Sequence, residues 1–206
     1  METQIGFNEI TYYDNEIKVI QKWYWNSYLH KQDGPALIRY YEDGNKRCEE
    51  WYKYSKRHRL IGPAFIRYAK NNVKQCGEWN IDGRLHRIDG PAYITYYSNS
   101  SKWVEQWYQN DKLHRLDGPA IIEYDLNGNK QRECWYLNGK LHRPIEQGPA
   151  LIGHEKNTTE YCVNDILISQ SEVKQYLNMY IKQISNELDY LFDDVNLIPV
   201  VNSYIQ

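Results

Sequence analysis

Short segments in which apolar and polar residues alternate recur along most of the chain. Ala36, Ile38 and Tyr40 alternate with other residues, and turn-forming residues such as Asp43-Gly44-Asn45 follow them before the next apolar segment. Alternation with a period of two residues predicts β-strands, and Asp, Gly and Asn are typical of the tight turns that join them. Each segment pair therefore predicts a hairpin of two antiparallel strands.

The pattern repeats every 28 residues. Trp stands at 23, 51, 79, 107 and 135, and His at 30, 58, 86, 114 and 142. Gly-Pro-Ala begins at 34, 62, 90 and 118, and then at 148 after a short insertion. Copies therefore start near residues 6, 34, 62, 90, 118 and 148, with degenerate copies at both ends, as expected of an array that caps itself. We assign residues 1–168 to this array and 169–206 to a C-terminal helix and tail.

The repeat predicts the fold class. Asp82-Gly83 and Asn138-Gly139 suit the type I′ turn of a hairpin, and each Pro of Gly-Pro-Ala opens a strand, where its missing N–H is tolerated. Strands about 4.8 Å apart place successive units about 10 Å apart. We predict an all-β repeat protein, an elongated antiparallel sheet of β-hairpins with a C-terminal α-helix as its cap.

The period changes after residue 168. Ser169-Gln170-Ser171-Glu172 fits a capping box, and Val173, Tyr176, Leu177 and Tyr180 begin a helical spacing that continues to Leu191. We predict a helix over residues 170–192 whose apolar stripe packs on the last hairpins and covers the open sheet edge. The alternative is a helix that docks on another protein.

Composition narrows the class of protein. The formal net charge is −2, which argues against a nucleic-acid partner, and aromatic residues make up 15% of the chain, 20 of them Tyr. No apolar run reaches the length of a membrane span, and METQIGFNEI lacks a signal-peptide pattern. We therefore expect a soluble cytoplasmic protein, and free thiols at its four Cys residues.

The string Leu-His-Arg-x-Asp-Gly-Pro-Ala resembles a catalytic or metal-binding cluster, but its repetition argues against both. Zinc ligands lie about 2.0–2.3 Å from the ion, so His residues about 10 Å apart cannot share one. No Ser, Cys or Glu column accompanies the His column as a nucleophile. We predict no catalytic residue, no metal and no cofactor, and expect each His to bond near Asp33, Asp89 or Asp117 and hold the turn.

Three columns are candidates for binding. Leu37, Phe65, Tyr93 and Ile121 lie opposite the packing face, and with Tyr41 and Tyr97 they form the predicted surface for a protein partner or a second copy. The Trp column predicts a stacked ladder or, alternatively, an aromatic cage or a surface on which bases stack. A basic column is the candidate for anionic phospholipid, unless it pairs with Asp or stacks on Trp: Lys31, Arg59, Arg87, Arg115 and Arg143.

The unit resembles the MORN repeat over about residues 6–168. The resemblance rests on Trp135-Tyr136-Leu137-Asn138-Gly139-Lys140-Leu141-His142, followed by Gly148 and Ile152. The variant with Leu-His-Arg-x-Asp-Gly-Pro-Ala also resembles repeats of uncharacterised proteins of large DNA viruses and phages. This resemblance implies an open hairpin array in a viral protein of the host cytoplasm or virion, with a scaffolding or dimerising role and, in some relatives, membrane contact. We predict a non-enzymatic scaffold for protein–protein interaction or self-association, or alternatively a peripheral lipid-binding protein.

Overall fold

The strands of the array pair in their order along the chain. The computed structural model describes residues 6–12 and 18–192, with helix side chains up to Leu188. Its described residues include an open 14-stranded antiparallel sheet. These strands are Gly6–Tyr12, Lys18–Trp25, Tyr28–Leu29, Leu37–Tyr40, Lys46–Glu50, Phe65–Tyr68, Lys74–Glu78, Tyr93–Tyr96, Lys102–Gln106, Ile121–Tyr124, Lys130–Cys134, Leu151–Gly153, Thr158–Val163 and Ile166–Ile168. The predicted fold class, an elongated hairpin-repeat sheet with a C-terminal helix, is confirmed.

Each of the four internal units contributes two sheet strands and a separate short hairpin, which the sequence pattern does not distinguish from the second strand. In these units the second strand ends before the Trp, and a short hairpin of two-residue strands begins at the residue after it, whereas in the first unit Lys18–Trp25 runs through Trp23. Asp82-Gly83 and Asn138-Gly139 form the turns of two of these hairpins, with φ of 49° at Asp82 and 87° at Gly83. The short hairpins are Tyr52–Lys53 with Lys56–Arg57, Asn80–Ile81 with Arg84–Leu85, Tyr108–Gln109 with Lys112–Leu113, and Tyr136–Leu137 with Lys140–Leu141.

The strand register is the same from unit to unit, which keeps like residues in columns. Ile94 lies opposite Glu105 in its own unit and opposite Gly77 in the preceding unit. The Ala residues of Gly-Pro-Ala are fully buried, and their carbonyls accept the Trp N–H of the preceding unit, as Ala64 does from Trp51 over 2.7 Å. A small side chain therefore stands where the backbones of two units are joined.

One column of the repeat consists of buried glutamates. Glu49, Glu105 and Glu133 each accept a hydrogen bond from the Lys three residues earlier. The hydroxyl of Tyr124 also donates to Glu105 over 2.7 Å, and His154 takes this place at Glu133 over 2.9 Å. His154 therefore replaces a Tyr of the repeat in the same ion-paired setting, as a structural residue.

The C-terminal helix spans Gln170–Phe192 as predicted, but its apolar stripe does not pack as predicted. The capping box is present, since the Ser169 N–H donates to Glu172 Oε2 over 2.8 Å and Ser169 Oγ accepts the Glu172 N–H. Val173 is buried, whereas Tyr176, Tyr180 and Ile184 are each more than a third exposed. The expectation of a helix covering the last hairpins is therefore wrong.

The helix instead packs against a one-turn 3₁₀ helix, Ile145–Gln147, which is formed by the short insertion before the last Gly-Pro-Ala. The hydroxyl of Tyr176 donates to Glu146 over 3.2 Å across this contact. The insertion therefore provides the docking point of the helix. Among the described residues, no helix combines the length and the apolar composition needed to cross a membrane.

Candidate functional site

The segments that lead from one short hairpin to the next sheet strand, here called the connectors, form one edge of the array. Each connector begins at the repeated His and ends at Gly-Pro, as in residues 58–63, 86–91 and 114–119. The opposite edge, here called the loop edge, carries the turns between the two sheet strands of each unit. Because the units stack in register, equivalent connector residues form rows along the connector edge.

The first row pairs each repeated Trp with a cation. The charged group of the basic residue lies over the indole ring at distances that suit a cation–π contact. The five pairs are Lys31 with Trp23 at 3.7 Å, Arg59 with Trp51 at 3.9 Å, Arg87 with Trp79 at 4.5 Å, Arg115 with Trp107 at 4.1 Å and Arg143 with Trp135 at 4.0 Å. The basic column and the Trp column therefore form a single row of stacked pairs along the connector edge.

Hydrogen bonds fix the arginines in this position. In the arginine-bearing connectors, Nη1 donates to the carbonyl of the Pro that follows, as Arg115 does to Pro119 over 3.2 Å. Arg115 Nε also donates to Asp117 over 3.0 Å, and this bond holds the pKa of Asp117 below its usual value. The predicted lipid-binding column is thus stacked on Trp along its length and hydrogen-bonded at its four arginines.

Arg59 differs from Arg87 and Arg115 because Ile61 stands where they have Asp89 and Asp117. Arg59 keeps its cation–π contact with Trp51 and its hydrogen bond to the Pro63 carbonyl, but it forms no ion pair within the described part of the chain. Burial lowers the pKa of Arg59, although the charge of Glu49 opposes this effect. The connector of residues 58–63 therefore carries a cation that no nearby side chain neutralises directly.

The repeated His joins neighbouring units. Its Nδ1 accepts a backbone N–H from the short-hairpin turn of the next unit, as His114 does from Asn138 over 3.2 Å. The same contact is made by His30, His58, His86 and His142. The expected bond near Asp33, Asp89 or Asp117 is wrong, since Asp89 and Asp117 pair with arginines instead.

Large aliphatic side chains project from the connectors. Leu60 is 80% exposed, Ile61 87%, Ile88 81% and Leu116 81%. Leu60, Ile88 and Leu116 occupy equivalent positions, so they form a row beside the Trp–cation pairs. Sequence reasoning missed this row, although a large aliphatic residue recurring inside a turn motif, where polar residues are usual, was its signal.

Shallow clefts lie between successive connectors. One of about 610 Å³ is lined by Trp51, Arg59, Leu60 and Ile61 together with Lys31 of the preceding connector. The next, of about 650 Å³, is lined by Trp79, Arg87 and Ile88 together with Leu60 and Ile61. We call these the connector clefts. The two clefts share Leu60 and Ile61 as a common wall, so they continue one another along the edge.

The predicted partner-binding residues lie elsewhere. Leu37 is only 6% exposed, so it belongs to the core and presents no surface, which corrects its assignment. Phe65 lies beneath the guanidinium of Arg57 at 4.6 Å, and burial raises the pKa of Tyr93 to about 12. Ile121 is half-buried beside Cys134 in the sheet. This column therefore offers little free apolar area.

The two remaining candidates, Tyr41 and Tyr97, join neighbouring units at the loop edge. The hydroxyl of Tyr41 donates to the Tyr68 carbonyl over 2.9 Å, and that of Tyr97 donates to the Tyr124 carbonyl over 2.9 Å. Both rings are half-buried. Tyr41 and Tyr97 thus connect neighbouring units of the array.

The described residues offer few groups suited to metal binding or nucleophilic attack. Within residues 6–12 and 18–192, no three His, Cys, Asp or Glu side chains are grouped closely enough to hold a metal ion. The four cysteines are free and buried, and burial is the main cause that raises the pKa of each thiol. Such thiols are poor nucleophiles.

Comparisons with protein-family models, with curated proteins and with solved structures found no match to this chain. The resemblance to the MORN repeat therefore stays a prediction.

Proposed function

We propose that the chain is a non-enzymatic repeat scaffold that binds a partner protein along its connector edge. The observation that carries the proposal is the row of aliphatic side chains at Leu60, Ile61, Ile88 and Leu116, each at least 80% exposed. Aliphatic side chains held in water by a repeated, well-bonded turn are typical of a surface that is covered in a complex.

The size of the row suits a specific complex. Burying one Leu or Ile side chain contributes about 1.5–3 kcal/mol, so four contribute about 6–12 kcal/mol before the cost of association. The connectors that present these residues are held by the Trp–cation and His contacts, so little ordering is needed on binding. A pre-organised surface of this kind is how repeat proteins bind extended partners.

A photo-crosslinking amino acid at Leu116 tests the proposal in cells that make the protein. We expect a defined crosslinked product from Leu116, and none from the matched control Leu126, which is 58% exposed but lies in a turn at the loop edge. The combined variant Leu60→Gln, Ile88→Gln should remove the product. Crosslinking of equal yield from Leu126, or an unchanged yield in the combined variant, would contradict a partner at the connector edge.

Self-association is the other form of this function. Light scattering after size exclusion distinguishes it, since a second copy as partner gives a dimer that the combined variant converts to a monomer. A monomeric wild type that still gives the Leu116 product identifies a different protein as the partner.

Peripheral binding to anionic phospholipid is the second candidate. The observation that favours it is a row of exposed basic residues on the short hairpins: Lys56, Arg84, Lys112 and Lys140. The connector cations are less available to lipid because they are stacked on Trp. Each basic residue near an anionic membrane contributes about 1 kcal/mol. Flotation with phosphatidylserine vesicles at low salt should therefore fall on Arg84→Glu, Lys112→Glu, and a wild type that does not float excludes this function.

A further inference from the structure

We propose that the connector clefts hold an acidic peptide segment in the polyproline II conformation, with an apolar residue at every third position. This inference rests on the proposed function and names the chemistry of the partner. Three features of the connector edge carry it: the spacing of the clefts, their charge and their apolar walls.

The spacing of the clefts selects the conformation of the ligand. Each unit adds two strands to the sheet, so successive clefts are about 9.6 Å apart. A polyproline II helix rises about 9.3 Å in one turn of three residues, so residues i, i+3 and i+6 point in one direction at nearly this spacing. The mismatch is about 0.3 Å per unit, which side-chain adjustment absorbs over three units.

Other regular conformations do not match this spacing. A β-strand covers 9.6 Å in about three residues, an odd number that turns the side chain to the opposite face. An α-helix covers it in about 6.4 residues, or 1.8 turns, so successive contacts rotate away from the edge. A strand also needs an unpaired backbone to join, whereas a polyproline II segment keeps its backbone solvated and is recognised by side chains.

The charge of the clefts selects acidic residues. The cleft of residues 30–34 and 51–61 is lined by Lys31, Lys53 and Arg59, and no Asp or Glu is among its lining residues. The next cleft has Arg59 and Arg87 against one carboxylate, Asp89. The chain as a whole has a formal net charge of −2, so these two clefts are locally positive on an acidic protein. Arg59, which lacks the Asp partner of Arg87 and Arg115, borders both clefts and can pair with a carboxylate of the ligand.

The walls of the clefts favour apolar residues at the ligand positions that point into the clefts. Leu60 and Ile61 separate the two clefts and are exposed to both, and Ile88 borders the second. Trp51 and Trp79 lie at the clefts beneath their bound arginines. Grooves lined by aromatic residues are the usual receptors of proline-rich segments, because the ligand is already extended and loses little entropy.

Fluorescence anisotropy with synthetic peptides tests the inference. The probe is a labelled peptide of four Leu-Glu-Pro triplets. Its matched controls are a peptide of the same composition in which the three-residue spacing of Leu is broken, and a peptide of four Leu-Lys-Pro triplets. We expect the probe to bind at least about tenfold more tightly than either control, because the first loses burial of a Leu side chain and the second places Lys against the cleft cations.

The chain itself offers a variant that is compatible with the fold. Gln32-Asp33 occupies in the preceding connector the positions of Leu60-Ile61. Leu60→Gln, Ile61→Asp therefore places a native pair of residues in the second connector and gives Arg59 the carboxylate that Arg87 and Arg115 have. We expect it to weaken binding of the probe about tenfold. The control Leu126→Gln, at the loop edge, should leave binding unchanged.

Two results would overturn the inference: equal binding of the probe and the composition control, or no binding of the probe by the wild type. Either result leaves the proposed function standing if the Leu116 crosslink still forms, because a partner of another chemistry then occupies the edge. Loss of the crosslink together with tight binding of the probe would instead reject the cellular partner and keep the peptide specificity. Circular dichroism of each variant confirms that the fold is retained.

Discussion

Arg57 joins the buried carboxylate of Glu50 to the half-buried carboxylate of Glu78 in the next unit, and its replacement by Leu tests what a buried Glu costs without its cation. Arg57 Nε and Nη2 donate to Glu50 Oε2 over 3.0 and 2.7 Å, and Nη1 donates to Glu78 Oε2 over 2.9 Å. Glu50 is only 2% exposed. Later units have Leu at the position of Arg57, as in Leu113, so Arg57→Leu introduces a residue that the repeat already uses.

We nevertheless expect Arg57→Leu to destabilise the protein by about 2 kcal/mol. Removing one partner of a buried ion pair costs about 3–5 kcal/mol. The value is lower here because the side chain of Arg57 is 32% exposed and Arg39 still pairs with Glu50. At about 2–4 °C per kcal/mol, the thermal midpoint should fall by about 4–8 °C.

The pH dependence identifies the cause. Burial on its own raises the pKa of Glu50, but the hydrogen bond from Tyr52 and the charge of Arg57 outweigh it, so the pKa is lowered. A lowered pKa adds stability above the unfolded value of about 4.3, and this stability is lost as the pH falls through the folded value. Without Arg57 the pKa of Glu50 rises, so the difference in stability between wild type and variant should narrow as the pH falls.

Urea unfolding followed by circular dichroism measures these differences. Adding Glu50→Gln to Arg57→Leu should recover most of the lost stability, because Gln106 already occupies the equivalent position in the fourth copy. Lys56→Leu, at an exposed neighbouring position, is the control and should change stability by less than about 0.5 kcal/mol. A double variant no more stable than Arg57→Leu alone would refute the explanation by a stranded Glu50 charge.

Three further predictions concern the contacts between units and the thiols. His114→Ala should cost about 1 kcal/mol and speed hydrogen exchange of the Asn138 amide, as NMR can measure, since that amide loses its acceptor; unchanged exchange would contradict the contact. Gly118→Ala should displace Arg115 from Trp107 and lower the thermal midpoint, because the added Cβ would lie 2.9 Å from the guanidinium carbon; an unchanged Trp fluorescence spectrum would argue against this. All four cysteines should react with a thiol reagent only slowly until urea is added, since they are buried and their pKa is raised; rapid labelling of the folded protein would disprove their burial.

The repeated hairpin sheet was predictable from the sequence because strand alternation, turn residues and the 28-residue period all point to the same architecture. The separate short hairpins were not separated from the second strand, because a continuous apolar segment does not show where the backbone leaves the sheet. The packing of the helix was mispredicted for a related reason. An apolar stripe shows that a face can be covered, but the docking point depends on the insertion at Ile145–Gln147, whose role only the fold reveals.

The candidate site was predictable only in part. The spacing placed Arg115 and Trp107 in parallel columns, but stacking of one on the other depends on the path of the connector, which periodicity does not specify. The His contact crosses to the next unit, so the neighbouring Asp in the motif was a misleading partner. Leu60, Ile88 and Leu116 stood in the motif at its variable position, where their exposure required the structure.

The contacts of the repeated His, of Tyr41 and of Tyr97 each reach only the adjoining unit. An internal unit therefore depends on its two neighbours and on no more distant part of the array. Excising residues 90–117 would join Asp89 to Gly118 and recreate the Asp-Gly-Pro-Ala sequence without a seam. Gain or loss of 28 codons in frame would therefore change the number of units in a single genetic step. The connector edge would become longer or shorter, while the residues of each remaining unit stay the same.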